Sequence, residues 1–131
     1  MARRRASHRD GRVSGNSCFM DVLDRRSGEL IGTTGLRVIE SRHAEFDIVV
    51  HSSWQRQGVC AECFVACAVY AWHALGCHTL TASTLASNAR MLAFCAKAGL
   101  RLKEERKVDS QGEWLVHQAS VEDLSWAALS R

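Results

Sequence analysis

The sequence predicts an α/β fold in which a mixed β-sheet carries packed helices. Three β-patterned segments come first, and the complete order is β-β-β-α-β-α-β-β. A strand-loop-helix-strand unit in the middle favours a sheet with both parallel and antiparallel neighbours. With 131 residues, 47% of them hydrophobic, the chain is long enough for one domain with one core. We place that domain at residues 16–131.

The first three strands are predicted as an antiparallel meander. A turn containing Gly28 separates the first two, because glycine readily adopts turn conformations. In the third strand, Glu45, Asp47 and other polar positions alternate with apolar ones, as expected for two unlike faces. The predicted strands are residues 17–23, 29–39 and 44–51.

Two helices follow a polar loop at residues 52–58. The first is rich in alanine and cysteine and closes at Gly76, and Gly99 ends the second, for which Ser87 or Asn88 is the predicted cap. A strand at residues 78–84 separates the helices. A hairpin at residues 100–121 and one or two helical turns complete the chain.

The N-terminal segment, residues 1–15, is basic and lacks apolar periodicity. Residues 1–13 hold five arginines against one aspartate, which leaves 12 basic and 13 acidic side chains in the rest. We therefore predict a disordered, solvated tail and a nearly neutral body without a basic face for nucleic acid. Neither a secretory signal nor a membrane span is recognisable, which favours a soluble cytoplasmic protein. Binding of the tail to nucleic acid or an anionic membrane is the alternative.

The cysteines allow a metal interpretation, which we do not favour. Cys60, Cys63 and Cys67 lie on one helical pattern, but a structural zinc site requires four convergent ligands and no second knuckle follows. We predict free thiols that pack as small hydrophobic groups, and no metal.

A candidate phosphate-binding loop opens the first helix. The first N–H groups of a helix lack helical partners, and together with the helix dipole they favour an anion. Glycine at position 58 would permit close approach of the main chain. An ordinary strand-to-helix turn is the alternative. The loop comprises Gln55, Arg56, Gln57, Gly58, Val59 and Cys60.

Two motifs in the right order resemble the GNAT acetyltransferase family. Gln55, Gly58 and Cys60 occupy the positions of its Gln/Arg-x-x-Gly-x-Gly/Ala pattern after a strand. Residues 80–100, with Asn88 and Gly99, are similar to its strand-Asn-helix-Gly block. The sequence at residues 44–62 looks closest to the branch that acetylates ribosomal-protein N-termini.

The resemblance implies binding of acetyl-CoA as co-substrate. The main chain at Val49, Val50 and His51 would bind the pantetheine arm as an added strand does. Amides of residues 57–60, with the Gln55 and Arg56 side chains, would hold the pyrophosphate. Asn88 would contact the cofactor or order the amine, besides capping its helix.

The expected reaction is direct attack of an amine on the thioester. Glu45 is our first candidate for the general base, directly or through water, with Asp47 and His51 as alternatives. The main-chain N–H near Val49 is the expected oxyanion donor. The family's usual acid, a tyrosine, is replaced by Cys95, which is either the acid or a buried structural residue.

The resemblance also implies an N-terminally shortened GNAT fold, because elements that usually precede the meander were not recognised. One wall of the acceptor site would then come from another subunit, or the site would be unusually open, or the chain would be a truncated product. The exposed sheet edge would favour a homodimer. An acetyl-CoA-binding domain without turnover, acting as sensor or scaffold, is the alternative to an active enzyme. A basic-tailed nucleic-acid binder is a third hypothesis, and the near-neutral body argues against it.

Overall fold

The computed structural model describes residues 4–14, 17–55 and 57–130, which form one seven-stranded sheet and three α-helices. Two short 3₁₀ turns lie at Ser52–Trp54 and Val121–Asp123. The strands are β1 (Arg4–Ser14), β2 (Ser17–Asp24), β3 (Leu30–Glu40), β4 (His43–Val50), β5 (Thr79–Leu85), β6 (Arg101–Asp109) and β7 (Gly112–Ser120), and the helices are α1 (Val59–His73), α2 (Ala89–Ala98) and α3 (Trp126–Leu129).

Neighbouring strands follow the order β1-β2-β3-β4-β5-β7-β6. Only β4 and β5 pair in parallel, and the other five pairs of this described sheet are antiparallel. The structure therefore confirms the predicted α/β class with a mixed sheet. Each predicted strand and helix is present within a few residues of its expected bounds.

The strand β1 was not expected. The prediction of a disordered tail over residues 1–15 is wrong for residues 4–14, which pair with β2 from Arg4↔Asp24 to Ser14↔Ser17; residues 1–3 and 15 lie outside the described residues. An edge strand is held by main-chain hydrogen bonds to one neighbour, so it forms without apolar alternation. The β2 edge that we expected to be exposed is consequently paired, and the predicted order lacks this first strand.

The core lies between the sheet and the helices. Phe64 of α1 is fully buried and makes edge-to-face contacts with Phe46 of β4 and Phe94 of α2, at ring-centroid distances of 5.0 and 5.6 Å. These contacts place α1 and α2 on the same face of the sheet, and α3 packs against both helices. Among the described residues, no helix covers the opposite face, which carries His43, Glu45 and Asp47 because strand side chains alternate.

The pairing of β4 with β5 ends early. It covers only the three pairs from His43↔Thr79 to Glu45↔Thr81, although β4 continues to Val50 and β5 to Leu85. The two strands therefore diverge beyond Glu45, and their facing main-chain groups lose their sheet partner. This divergence creates the opening in which the candidate site lies.

None of the helices in the described ranges has the length and apolar character that crossing a bilayer requires.

Candidate active site

The main chain of β4 presents alternate residues to the opening. Arg42 O accepts hydrogen bonds from His78 N and Thr79 N at the start of β5, whereas His51 N donates to Ile31 O on the β3 side (2.8 Å). Because successive strand residues direct their main-chain groups to opposite neighbours, Ile48 and Val50 face the opening. Of the three predicted positions, only Val50 has its main chain there, and Val49 and His51 face β3. Ile48, which the sequence did not single out, takes the place expected of Val49.

The N-terminus of α1 is open. Gly58 caps the helix in a left-handed conformation (φ 77°) and no side chain caps it; the first bond of the helix is from Glu62 N to Gly58 O (3.1 Å). Within the described residues, the N–H groups of Val59, Cys60 and Ala61 have no hydrogen-bond partner. A Cβ added at Gly58 would meet no atom within 4 Å. The glycine is therefore required by its φ angle, and the space in front of it is free for an anion.

The side chains of the loop bind the loop itself and α2. Gln55 Nε2 donates to Val50 O (3.1 Å), and Gln55 Oε1 accepts from Arg90 of α2. Gln57 Nε2 donates to Ser53 O (3.1 Å). Arg56, which we predicted as a phosphate donor, lies outside the described residues. Gln55 thus ties the end of β4 to the start of α2, a contact that the sequence pattern did not predict.

A cleft of about 730 Å³ connects these groups. Its walls are the end of β4, the loop, the first turn of α1 and one face of α2. Sequence reasoning missed the α2 wall, although its spacing of three and four residues indicates one helix face. Two of these side chains are cationic and suit a polyphosphate. The α2 residues are Arg90, Met91, Phe94 and Lys97.

A second, smaller cavity of about 190 Å³ lies between the diverging strands. It shares Ile48, Val49, Asn88 and Met91 with the large cleft, so the two spaces adjoin at the end of the β4–β5 pairing. Asp47 and Trp114 also line the smaller cavity. The arrangement offers one compartment for a long phosphorylated molecule and an adjoining one for a small molecule.

The structure separates the two carboxylates that we proposed as bases. Glu45 is half-buried, accepts a hydrogen bond from Arg37 Nη2 (2.6 Å) and another from Ser83 Oγ (3.3 Å), and lines neither cavity. Asp47 is exposed, lines the smaller cavity and has no ion-pair partner among the described residues. The geometry therefore favours Asp47 over Glu45. His51 is exposed and also lines neither cavity.

Of the other two predicted site residues, Asn88 lies at the cavities and Cys95 does not. Asn88 lines both cavities while its Oδ1 accepts from Met91 N (3.1 Å), so its cap role leaves Nδ2 available to a ligand. Cys95 is fully buried, contacts Thr84 Oγ1 through Sγ (3.8 Å) and lines neither cavity. Burial raises the pKa of the Cys95 thiol. This position favours a buried structural role for Cys95 over the role of general acid.

All six cysteines lie in described residues, and none forms a disulfide. Cys60 lines the large cleft, and burial raises the pKa of its thiol to about 12, with Cys63 adding to the effect. No group of three or more potential metal ligands converges in the described part of the chain.

Comparison with known proteins agrees with this geometry. The family model described as an acetyltransferase (GNAT) domain matches residues 2–101. A search of curated proteins found no match.

The fold is similar to solved structures of spermidine/spermine N-acetyltransferase SpeG from Vibrio cholerae. The structure with manganese ions shares 18% identity, with a TM-score of 0.70 over 82% of this chain and 66% of that one. The complex with CoA and spermine shares 17% identity, with a TM-score of 0.71 over 82% and 68%. This chain thus spans slightly less than two thirds of the first of these relatives.

The family match covers most of the chain, and it includes the open helix N-terminus, the diverging strands and the whole second motif. It does not distinguish the branch that acetylates ribosomal-protein N-termini, which stays a prediction. The chain belongs to the acetyltransferase (GNAT) domain family.

Proposed function

We propose that this protein binds acetyl-CoA and transfers the acetyl group to a small primary amine by direct attack. The observation that carries the proposal is the open N-terminus of α1, where Gly58 and three N–H groups adjoin the large cleft. Bound acetyl-CoA would supply an activated acyl group as a thioester.

The residues that would hold the cofactor fit its chemistry. The amides of Val59, Cys60 and Ala61, at the positive end of the α1 dipole, suit the pyrophosphate. Arg90 and Lys97 would add positive charge along the α2 wall. The facing main-chain groups of Ile48 and Val50 suit the amides of pantetheine, as strand addition requires.

The remaining groups fit acyl transfer. The Ile48 N–H faces the opening next to the smaller cavity and would stabilise a developing oxyanion. Asp47, exposed at the rim, would accept the proton that the amine loses and pass it to solvent. Positioning of the two reactants in adjoining cavities would lower the barrier further. The structurally similar proteins are named as spermidine N-acetyltransferases, which supports a small-molecule acceptor over a protein N-terminus.

A pair of glycine variants tests the cofactor site. Gly58→Glu places bulk and negative charge before the open amides, so we expect calorimetric affinity for acetyl-CoA to fall by about 100-fold or more. Gly28→Glu is the matched control, because Gly28 also has a positive φ (74°) and no atom within 4 Å of an added Cβ. Equal acetyl-CoA affinity in two folded variants would refute the proposal.

A domain that binds acetyl-CoA without turnover is the second candidate. The buried Cys95 occupies the position at which the family usually has a tyrosine as general acid. Release of free CoA in the presence of an amine panel decides between them. Turnover by a protein that binds acetyl-CoA supports the enzyme, and hydrolysis-level release with every amine supports the sensor or scaffold. The homodimer expected from the sequence is checked separately by sedimentation at micromolar concentration.

A further inference from the structure

We propose that the smaller cavity is a recognition site for a short monoamine in its cationic form, with Asp47 as the specificity-determining residue. This inference rests on the proposed function, because it assigns the acceptor of the same reaction.

The charge of the smaller cavity favours a cation. Among the side chains that line it, Asp47 is the one that bears a carboxyl group. No Lys, Arg or His in residues 17–55 or 57–130 pairs with its carboxylate. By contrast, the neighbouring carboxylate on the same face, Glu45, is already neutralised by Arg37. An unpaired carboxylate at a cavity rim attracts a cation, and one carboxylate matches one positive charge.

The walls of the smaller cavity suit an alkylammonium group. Trp114 pairs in register with Leu85, two residues beyond Ser83, whose hydroxyl contacts Glu45. Strand alternation therefore places the indole on the same helix-free face as Asp47. An aromatic ring beside a carboxylate accommodates an alkylammonium group, through cation–π attraction and apolar contact with the alkyl part. The other walls are mainly apolar, with Phe46, Ile48 and Met91 among them.

The size of the smaller cavity limits the length of the amine. A volume of about 190 Å³ equals about six times the roughly 30 Å³ that a water molecule occupies in the liquid. An amine of roughly five to eight non-hydrogen atoms fills such a space. A polyamine would project beyond it, and none of its further charges would meet a carboxylate of the cavity. We therefore assign a short monoamine to this chain, in contrast to the polyamines named for its structural neighbours.

Binding of amines to the protein in the absence of an acetyl donor tests the assignment. The probes are n-butylamine, its uncharged analogue n-butanol and spermidine, titrated by ligand-observed NMR against the full chain with and without CoA. We expect saturable binding of n-butylamine that weakens about tenfold in Asp47→Asn, while n-butanol binding is unchanged by the substitution. Asp123→Asn is the matched control, because it removes the same charge from an exposed position that lines neither cavity.

Three outcomes overturn the assignment. Equal affinity of n-butylamine for the parent protein and Asp47→Asn removes the carboxylate from recognition. Equal loss in Asp123→Asn reduces the effect to overall charge. Spermidine binding at least tenfold tighter than n-butylamine excludes the monoamine class. The CoA titration reports independently, so a chain that binds n-butylamine through Asp47 without binding CoA contradicts the proposed function and leaves the amine site standing.

Discussion

Arg37 and Glu45 face each other across β3 and β4 and form an ion pair, with Arg37 Nη2 at 2.6 Å from Glu45 Oε1. Ser83 adds a second hydrogen bond to the same carboxylate from β5. The pair lies at the point where β4 and β5 begin to diverge, because Glu45↔Thr81 is their last paired position. Glu45 therefore lies at the base of the opening and lines neither cavity.

The first prediction concerns this ion pair. Glu45→Gln should change the turnover number for acetyl transfer by less than about threefold, since Glu45 lines neither cavity. The free energy of unfolding should fall by about 0.5–1 kcal/mol, because Arg37 is half-exposed and solvent weakens the pair. Steady-state kinetics and urea unfolding measure both effects. A loss of turnover of a hundredfold would restore Glu45 as the base.

The second prediction concerns Gly32, which stands opposite Val50 in the β3–β4 ladder. A Cβ at Gly32 would overlap the main-chain oxygen of Val49. Gly32→Ala should therefore displace β4, lower the free energy of unfolding by about 2–3 kcal/mol and weaken acetyl-CoA binding. Gly76→Ala is the comparison, because an added Cβ there meets no atom within 4 Å and only the left-handed φ (66°) is strained, so it measures the cost of replacing a glycine without an overlap. Unchanged stability and affinity in Gly32→Ala would show that β4 is placed differently.

The third prediction concerns Cys95. If this thiol is a core residue, Cys95→Ala removes a small buried group, and the free energy of unfolding falls by about 1–2 kcal/mol. The pH profile of acetyl transfer should keep its alkaline limb, because a residue outside both cavities does not protonate the leaving thiolate. Loss of that limb, with folding intact, would return Cys95 to the role of general acid.

The fourth prediction concerns His117, a buried residue of β7. Burial lowers the pKa of His117, and a hydrogen bond with the Leu115 main chain, acting in the opposite direction, is the smaller effect. Above a pH of about 6.5 the imidazole is neutral in both the folded and the unfolded chain. Below it, the unfolded chain binds a proton that the folded protein does not, so the free energy of unfolding falls as the pH is lowered towards the folded pKa.

Replacing His117 with Asn removes this titration. Urea unfolding between pH 5 and pH 8 should show the difference in stability between the parent protein and His117→Asn shifting in favour of the variant as the pH decreases. A difference that stays constant over this range would mean that His117 titrates alike in the folded and unfolded chains.

Local sequence determined much of the fold. Alternation marked β4, glycines marked the ends of α1 and α2, and Asn88 marked the cap of α2, because each of these features depends on residues close together in the chain. The candidate phosphate-binding loop was predicted for the same reason, because a helix N-terminus and a glycine are local properties. Residues 4–14 escaped prediction because an edge strand depends on main-chain bonds to a neighbour and leaves no apolar pattern.

Only the tertiary structure decided the surroundings of the two carboxylates and of the Cys95 thiol. Glu45 and Asp47 share a strand face and look alike in sequence, but Glu45 pairs with Arg37 and accepts a hydrogen bond from Ser83, whereas Asp47 lies at the rim of a cavity. Cys95 is buried because α2 packs against β5, where the Cys95 thiol contacts Thr84. Such assignments depend on contacts between residues 8 to 38 positions apart, and a sequence pattern carries no distance across the sheet.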